Sequence, residues 1–199
     1  MRRAGIVIAL AVVLAVVAAG CGKGGSGSGA GSGQGAASAT PTEWAGKICG
    51  ALVSWETSLA TRTQAFTSSV AASGSIKDAK AKLVAYLGDA AQLTDAMLSK
   101  IQGAGKPDVD QGAQLADDFR AALARTKTVF AQAQTQAKAL PTNVGRSDFG
   151  RRVQSLGKQI ESQGNTLDEA FTQLDKKYNA PELDSAFTSE PSCKQIRSK

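Results

Sequence analysis

The sequence predicts an all-α domain: an antiparallel four-helix bundle with a short C-terminal helix, closed by one disulfide. Four long stretches repeat apolar residues every three or four positions, which is the spacing of one helical face. Short segments rich in Gly, Pro, Ser and Asn separate these stretches, and short connections favour antiparallel neighbours. Alternation with period two, which is typical of a half-buried strand, never extends over more than a few positions.

The first helix is predicted to begin where residues 40–43 read Thr-Pro-Thr-Glu. Thr is a good N-cap, Pro suits the first helical position, and Glu three residues after the cap completes a capping box. Because Ser73 and Gly74 interrupt the pattern, we expect this helix to end near Ser68. Its apolar face carries Trp44, Ile48, Leu52, Trp55, Leu59 and Phe66.

Signals for two further helices follow. Ser75 is the predicted cap of the second, which residues 103–107 end. The third is expected to begin near Asp108 or Asp110, whose charges suit a helix N-terminus, and to stop before Pro141. Their apolar faces carry Ile76, Leu83, Leu87, Ala90, Met97 and Ile101 in the second helix, and Leu115, Phe119, Ala122, Phe130, Ala133, Ala137 and Leu140 in the third.

The fourth helix has the clearest periodicity and follows a turn through Asn143 and Gly145. Pro181 then begins a short C-terminal helix, and Pro191 leads into Cys193. The apolar face of the fourth helix carries Phe149, Val153, Leu156, Ile160, Leu167, Phe171, Leu174 and Tyr178.

The first twenty residues have the pattern of an export signal. Arg2 and Arg3 precede an unbroken apolar stretch over residues 4–19, and Gly20 and Cys21 follow. Such a stretch makes a helix of about 24 Å. It is shorter than a stable membrane span, which needs roughly 20 residues. We therefore expect residues 1–20 to be a signal peptide that is removed after export.

The residues Ala18-Ala19-Gly20-Cys21 resemble the lipobox of bacterial lipoproteins, in which small residues precede a cysteine that becomes acylated. The match departs from the commonest form at Ala18, where that family usually carries Leu. The resemblance implies a protein anchored by lipid at Cys21 on the extracytoplasmic side of the cell membrane; the alternative is a secreted protein with a free Cys21. Two or more acyl chains anchor a protein stably to a membrane, whereas a single acyl chain gives only marginal binding.

Residues 21–41 are interpreted as the lipidated cysteine and a flexible linker, because residues 22–40 are almost wholly Gly, Ser and Ala. Residues 42–199 form the predicted helical domain, which is large enough to hold a core. The linker and the ending Glu190-Pro191-Ser192-Cys193-Lys194 also resemble the small two-cysteine lipoproteins of high-GC Gram-positive bacteria. That resemblance implies no particular activity.

The remaining two cysteines predict one disulfide. With Cys21 carrying lipid, Cys49 and Cys193 are an even pair in a chain that leaves the reducing cytosol. The bridge would close a loop of about 145 residues, for which the chain-entropy relation gives roughly 5 kcal/mol as an upper value. In an antiparallel bundle the first helix starts where the fourth ends, so this pairing agrees with the predicted topology.

The composition argues against catalysis. The chain contains no histidine, which excludes a histidine general base, a Ser-His-Asp triad and every histidine metal site. Residues 155–158 read Ser-Leu-Gly-Lys and match the Ser-x-x-Lys element of penicillin-recognising enzymes, but the Ser-Asp-Asn and Lys-Thr-Gly elements are missing from the sequence. We therefore expect no enzyme activity, no metal and no cofactor.

Charge is unevenly distributed along the predicted bundle. Residues 60–88 and 119–160, hereafter the basic end, would lie far from the linker and contain 12 basic residues against Asp78 and Asp148. Such an end suits an anionic cell-wall polymer or an acidic envelope protein, and the alternative is an accidental segregation of surface charge. Nucleic acid is not expected outside the membrane. The candidate polymer-binding residues are Arg120, Arg125, Lys127, Arg146, Arg151 and Arg152.

These observations predict a membrane-anchored protein with a non-catalytic binding or scaffolding role in the cell envelope. The alternative is a carrier of a small apolar ligand in a groove between helices. Trp44 and Trp55 share one face and could line such a groove, although core anchors are the simpler interpretation. Val84, Leu93 and Leu98 could equally fill the core or meet another protein.

Overall fold

The computed structural model describes residues 37–197, except for the side chains of residues 164–168 and Arg197. The predicted signal peptide, Cys21 and most of the predicted linker lie outside the described residues. The described range confirms a mostly helical chain. Its elements are β1 (Ser38–Ala39), α1 (Pro41–Ala71), α2 (Ile76–Gly103), β2 (Lys106–Pro107), α3 (Gly112–Ala139), α4 (Arg146–Tyr178), α5 (Pro181–Ser189) and α6 (Pro191–Arg197).

The first two helices begin where the capping pattern predicts. The Thr40 hydroxyl accepts a hydrogen bond from the Glu43 backbone N–H at 3.3 Å, and the Thr40 N–H donates to the Glu43 carboxylate at 3.0 Å. The Ser75 hydroxyl likewise accepts from the Asp78 N–H at 3.1 Å. α1 extends three residues beyond the predicted Ser68, to Ala71.

The third helix begins later than predicted, at Gly112 rather than at Asp108 or Asp110. The reason is the β1–β2 pair, in which the Asp108 N–H donates to the Ala39 carbonyl at 2.8 Å and so holds the chain in an extended form. Gln111, with a φ of 54°, then turns the chain into α3. A β-carbon at position 112 would lie 2.1 Å from a carbonyl oxygen of β2, so only glycine fits there.

Each long helix contacts the next one along the chain. Between α1 and α2, the Trp55 indole N–H donates to the Thr94 hydroxyl at 3.2 Å. Between α2 and α3, the Gln134 amide donates to the Val84 carbonyl at 3.1 Å. α3 packs against α4, whereas the short helices α5 and α6 pack against α1.

A charged contact links α3 to the end of α4. The Asp118 carboxylate accepts from the Lys177 ammonium at 2.8 Å and from the Tyr178 hydroxyl at 2.7 Å. These two hydrogen bonds lower the pKa of Asp118, and the bond to Asp118 is the main cause that raises the pKa of Lys177 to about 12. Both groups are therefore charged at neutral pH.

The centre of the core at this end is Trp44, which is 1% exposed. Its indole N–H donates to the Gly105 carbonyl in the α2–α3 turn at 3.3 Å. Its ring meets Phe119 and Phe187 edge to face, with centroids 5.6 and 5.9 Å away. Phe119 in turn lies 5.1 Å from Phe171. This aromatic cluster therefore joins α1, α3, α4 and α5.

The predicted disulfide is confirmed. Cys49 in α1 and Cys193 in α6 are bonded, with their Cα atoms 5.0 Å apart and a sequence separation of 144. Both cysteines are 4% exposed and pack in a small cluster with Ala45 and Ala186. The covalent bond therefore fixes the C-terminal helices against the start of α1.

We predict that the double variant Cys49→Ala/Cys193→Ala unfolds at a lower urea concentration, with a loss of about 2–5 kcal/mol. The physical reason is the closure entropy of the long loop, which the unfolded variant regains. Replacing both cysteines avoids a free thiol, and wild-type protein treated with reductant under denaturing conditions serves as the control. An unchanged urea midpoint would contradict this account.

Candidate functional site

Two turns lie side by side at the basic end, between α1 and α2 and between α3 and α4. The Arg146 guanidinium donates to the Gly74 carbonyl at 3.0 Å. The Lys80 ammonium donates to the Leu140 carbonyl at 2.7 Å. Because Gly74 lies in the first turn and Leu140 in the second, these bonds tie the two turns together.

Several cations of the basic end stabilise helix C-termini. The Lys82 ammonium donates to the Ser69 carbonyl at 2.8 Å, and it also contacts Ser73 and Asp78. α1 has no basic residue of its own in its last turn, so Lys82 supplies the cation that the negative end of the helix dipole favours. The Lys80 ammonium likewise lies at the C-terminus of α3, where it donates to the carbonyl of the C-cap Leu140. These side chains belong to the fold rather than to an open binding surface.

Ion pairs neutralise further cations. Arg62 lies 3.6 Å from Asp89, Lys127 lies 2.7 Å from Asp95, and Arg120 pairs with Asp117. All three acids lie outside the residue ranges that define the basic end. Counting charged residues in those ranges therefore overstates the positive charge of this end. Arg151 pairs with Asp148 inside the basic end. Such exposed pairs add little to stability, but they lower the positive potential around each cation.

The six candidate residues do not form one site. Arg146, Arg151 and Arg152 share the first two turns of α4, whereas Arg125 and Lys127 lie in the middle of α3. Arg120 is farther from the turns, since it precedes the end of α3 by 19 residues, or roughly 30 Å along the helix axis. The structure therefore brings together only the three arginines of α4.

Five cations of the basic end are exposed and have no ion pair or hydrogen bond within the part of the chain that the structure describes. Lys77 follows Gly74 by three residues, and Lys138 precedes Leu140 by two, so both adjoin the contacts that join the turns. The others lie farther along α3 and α4. Hereafter these five are the unpaired cations: Lys77, Arg125, Lys138, Arg152 and Lys158.

Of these five, the sequence predicts Arg125 and Arg152 as binding residues, but not Lys77, Lys138 or Lys158. The helical periodicity does predict that these three lysines lie on the polar side of their helices.

The ion pairs of the other cations are of two kinds. The partners of Arg62 and Lys127 depend on tertiary contacts and leave no signal in the sequence. The pairs of Arg120 and Arg151 join residues three positions apart on one helix, which is a spacing that the sequence shows.

The two tryptophans are core residues. Trp55 is 6% exposed, and its N–H is satisfied by Thr94, as that of Trp44 is by Gly105. Val84, Leu93 and Leu98 are partly buried and pack against the same core. A depression of about 480 Å³ lies on the outer side of α3, but it is open to solvent. Its lining consists of Lys127, Thr128, Ala131, Gln132, Thr135 and Gln136.

Among the described side chains, no group of three or more His, Cys, Asp or Glu residues could hold a metal ion. Ser155 and Lys158 of the Ser-x-x-Lys match are both exposed on α4. None of the described helices is long and apolar enough to cross a membrane.

No protein-family model matches this chain, and no curated protein or solved structure matches it either.

We predict that Lys80→Met destabilises the protein by about 1–2 kcal/mol, because the Leu140 carbonyl loses a charged donor. Lys77→Met is the matched control, since Lys77 lies one turn away on α2 and has no partner to lose. Urea unfolding followed by circular dichroism measures both. Equal midpoints for the two variants would contradict the structural role of Lys80.

Proposed function

We propose that this chain is a lipid-anchored protein of the cell envelope with a non-catalytic binding or scaffolding role, and that its basic end contacts an anionic cell-wall polymer. The observation that carries the proposal is the group of five unpaired cations on three helices of the basic end. Cations without partners keep their full attraction for an anion, whereas paired cations must first give up a carboxylate or a carbonyl.

The proposal of a lipid anchor is supported by the sequence before the described range. A basic start, an apolar stretch and a small-residue segment ending at Cys21 together favour export and acylation. The oxidised pair of Cys49 and Cys193 is consistent with export, because disulfides persist outside the reducing cytosol.

We also propose that α1 to α4 form an antiparallel four-helix bundle. In support, residues that pair between α1 and α2 run in opposite order, since Trp55 meets Thr94 and Phe66 stacks on Tyr86. Short turns join the successive long helices. In this arrangement β1, where the linker joins the domain, lies at the end opposite to the unpaired cations, so the basic end faces away from the membrane.

The carrier alternative has less support. Both tryptophans are buried against protein groups, and the depression on α3 is open to solvent rather than enclosed. A site for a small apolar ligand is usually enclosed and lined by apolar side chains.

We predict that Cys21→Ala releases the protein from the membrane fraction. Without the acyl chains the chain has no hydrophobic anchor once the signal is removed. Fractionation of cells that express tagged protein measures this, and Cys49→Ala/Cys193→Ala, which keeps Cys21, is the control that should stay with the membrane. Equal amounts of wild-type and Cys21→Ala protein in the membrane fraction would overturn the lipid anchor.

We predict that the soluble Cys21→Ser protein sediments with purified cell-wall material at low salt and is released at high salt. Salt screens exposed charges over about 10 Å at 0.1 M, so binding by unpaired cations must weaken. Wall material stripped of its anionic polymers is the control. Absence of binding at low salt would overturn the wall polymer as the partner.

A further inference from the structure

We infer that the basic end binds an extended polyanion through separate contacts rather than a compact anion in one site, and that the five unpaired cations make those contacts. This inference rests on the proposed function and specifies its ligand. The ligand class is a linear polymer with repeated phosphate or other anionic groups.

The first argument is the spacing of the unpaired cations. They lie on three helices: Lys77 on α2, Arg125 and Lys138 on α3, and Arg152 and Lys158 on α4. The two on α4 are six residues apart, which separates them by about 9 Å along the axis and about 120° around it. A compact anion needs donors that converge within hydrogen-bond distance. Arg152 and Lys158 diverge, so together they suit different groups of one long ligand.

The second argument is that the cations best placed to surround one anion are already occupied. The Arg146 guanidinium is bonded to the Gly74 carbonyl, and Arg151 is paired with Asp148. Lys82 contacts three oxygen atoms of Ser69, Ser73 and Asp78. Binding a compact anion here would break contacts that hold the two turns.

The third argument concerns the acids nearby. Asp78 and Asp148, the acids that the basic end contains, already have cationic partners in Lys82 and Arg151. Glu161 follows Lys158 by three residues but forms no ion pair with it among the described contacts. The unpaired cations are therefore not neutralised locally. Several weak contacts to one polymer reinforce each other, because each bound group raises the effective concentration of the next.

The experiment uses the soluble Cys21→Ser protein, titrated with inorganic phosphate and with linear polyphosphates of increasing length. We expect no measurable binding of inorganic phosphate and an affinity that rises about tenfold or more with chain length. Inorganic phosphate that binds as tightly as the longest polyphosphate would overturn the inference, because it would point to a compact site.

Two variants of equal net charge assign the residues. The first, Lys77→Gln/Lys138→Gln/Arg152→Gln/Lys158→Gln, removes four of the five unpaired cations. The control, Lys47→Gln/Lys106→Gln/Lys176→Gln/Lys194→Gln, removes four exposed lysines at the opposite end. We expect the first variant to lose most of its affinity and to lower the slope of log affinity against log salt by about 3, while the control keeps both. Thermal unfolding checks that both variants are folded.

Equal affinity of the two variants would overturn the assignment, because binding would then follow net charge alone. Tighter binding of polyglutamate than of polyphosphate with equal charge would also overturn it and would favour an acidic protein partner. Polyphosphate binding without wall sedimentation would separate the two proposals: the polyanion surface would stand, and the cell-wall polymer as partner would fail.

Discussion

The buried indole of Trp44 joins parts of the chain that are far apart in sequence. A buried indole N–H needs an acceptor, and the Gly105 carbonyl is the one within reach. The α2–α3 turn must therefore lie against the start of α1. Gly105 has a φ of 78°, and a β-carbon there would lie 2.2 Å from the Ala37 carbonyl oxygen, so the turn also requires glycine. Phe119 and Phe187 complete the enclosure of the ring, and the Cys49–Cys193 bond lies close by along α1.

The two ends of the domain are stabilised by different forces. At the Trp44 end, apolar burial and a covalent bond dominate. At the basic end, cations donate to backbone carbonyls, as Lys80 does to Leu140 and Arg146 to Gly74. The lysines and arginines of the basic end therefore differ in their surroundings: some hold the turns, some pair with carboxylates, and the unpaired cations are exposed.

Much of the fold could be predicted from local patterns. The Thr40 and Glu43 capping box fixed the start of α1, and the parity of the cysteines predicted the Cys49–Cys193 bond. The start of α3 was wrong because β1 pairs with residues that lie 68 positions later. Such a pairing leaves no periodic signal in a strand of two residues. Ion pairs between helices could not be predicted for a similar reason: summing charges along the chain does not reveal that Lys127 lies beside Asp95.

The covalent loop closed by Cys49 and Cys193 has a consequence for the lifetime of the protein in an environment that contains proteases. Every turn between the long helices, over residues 72–75, 104–111 and 140–145, lies inside that loop. Exposed turns are the usual sites of proteolytic cutting. A single cut in any of them opens the ring without separating the pieces, so the basic end stays covalently connected to the segment that leads to Cys21. A nicked molecule is thus still one covalent molecule.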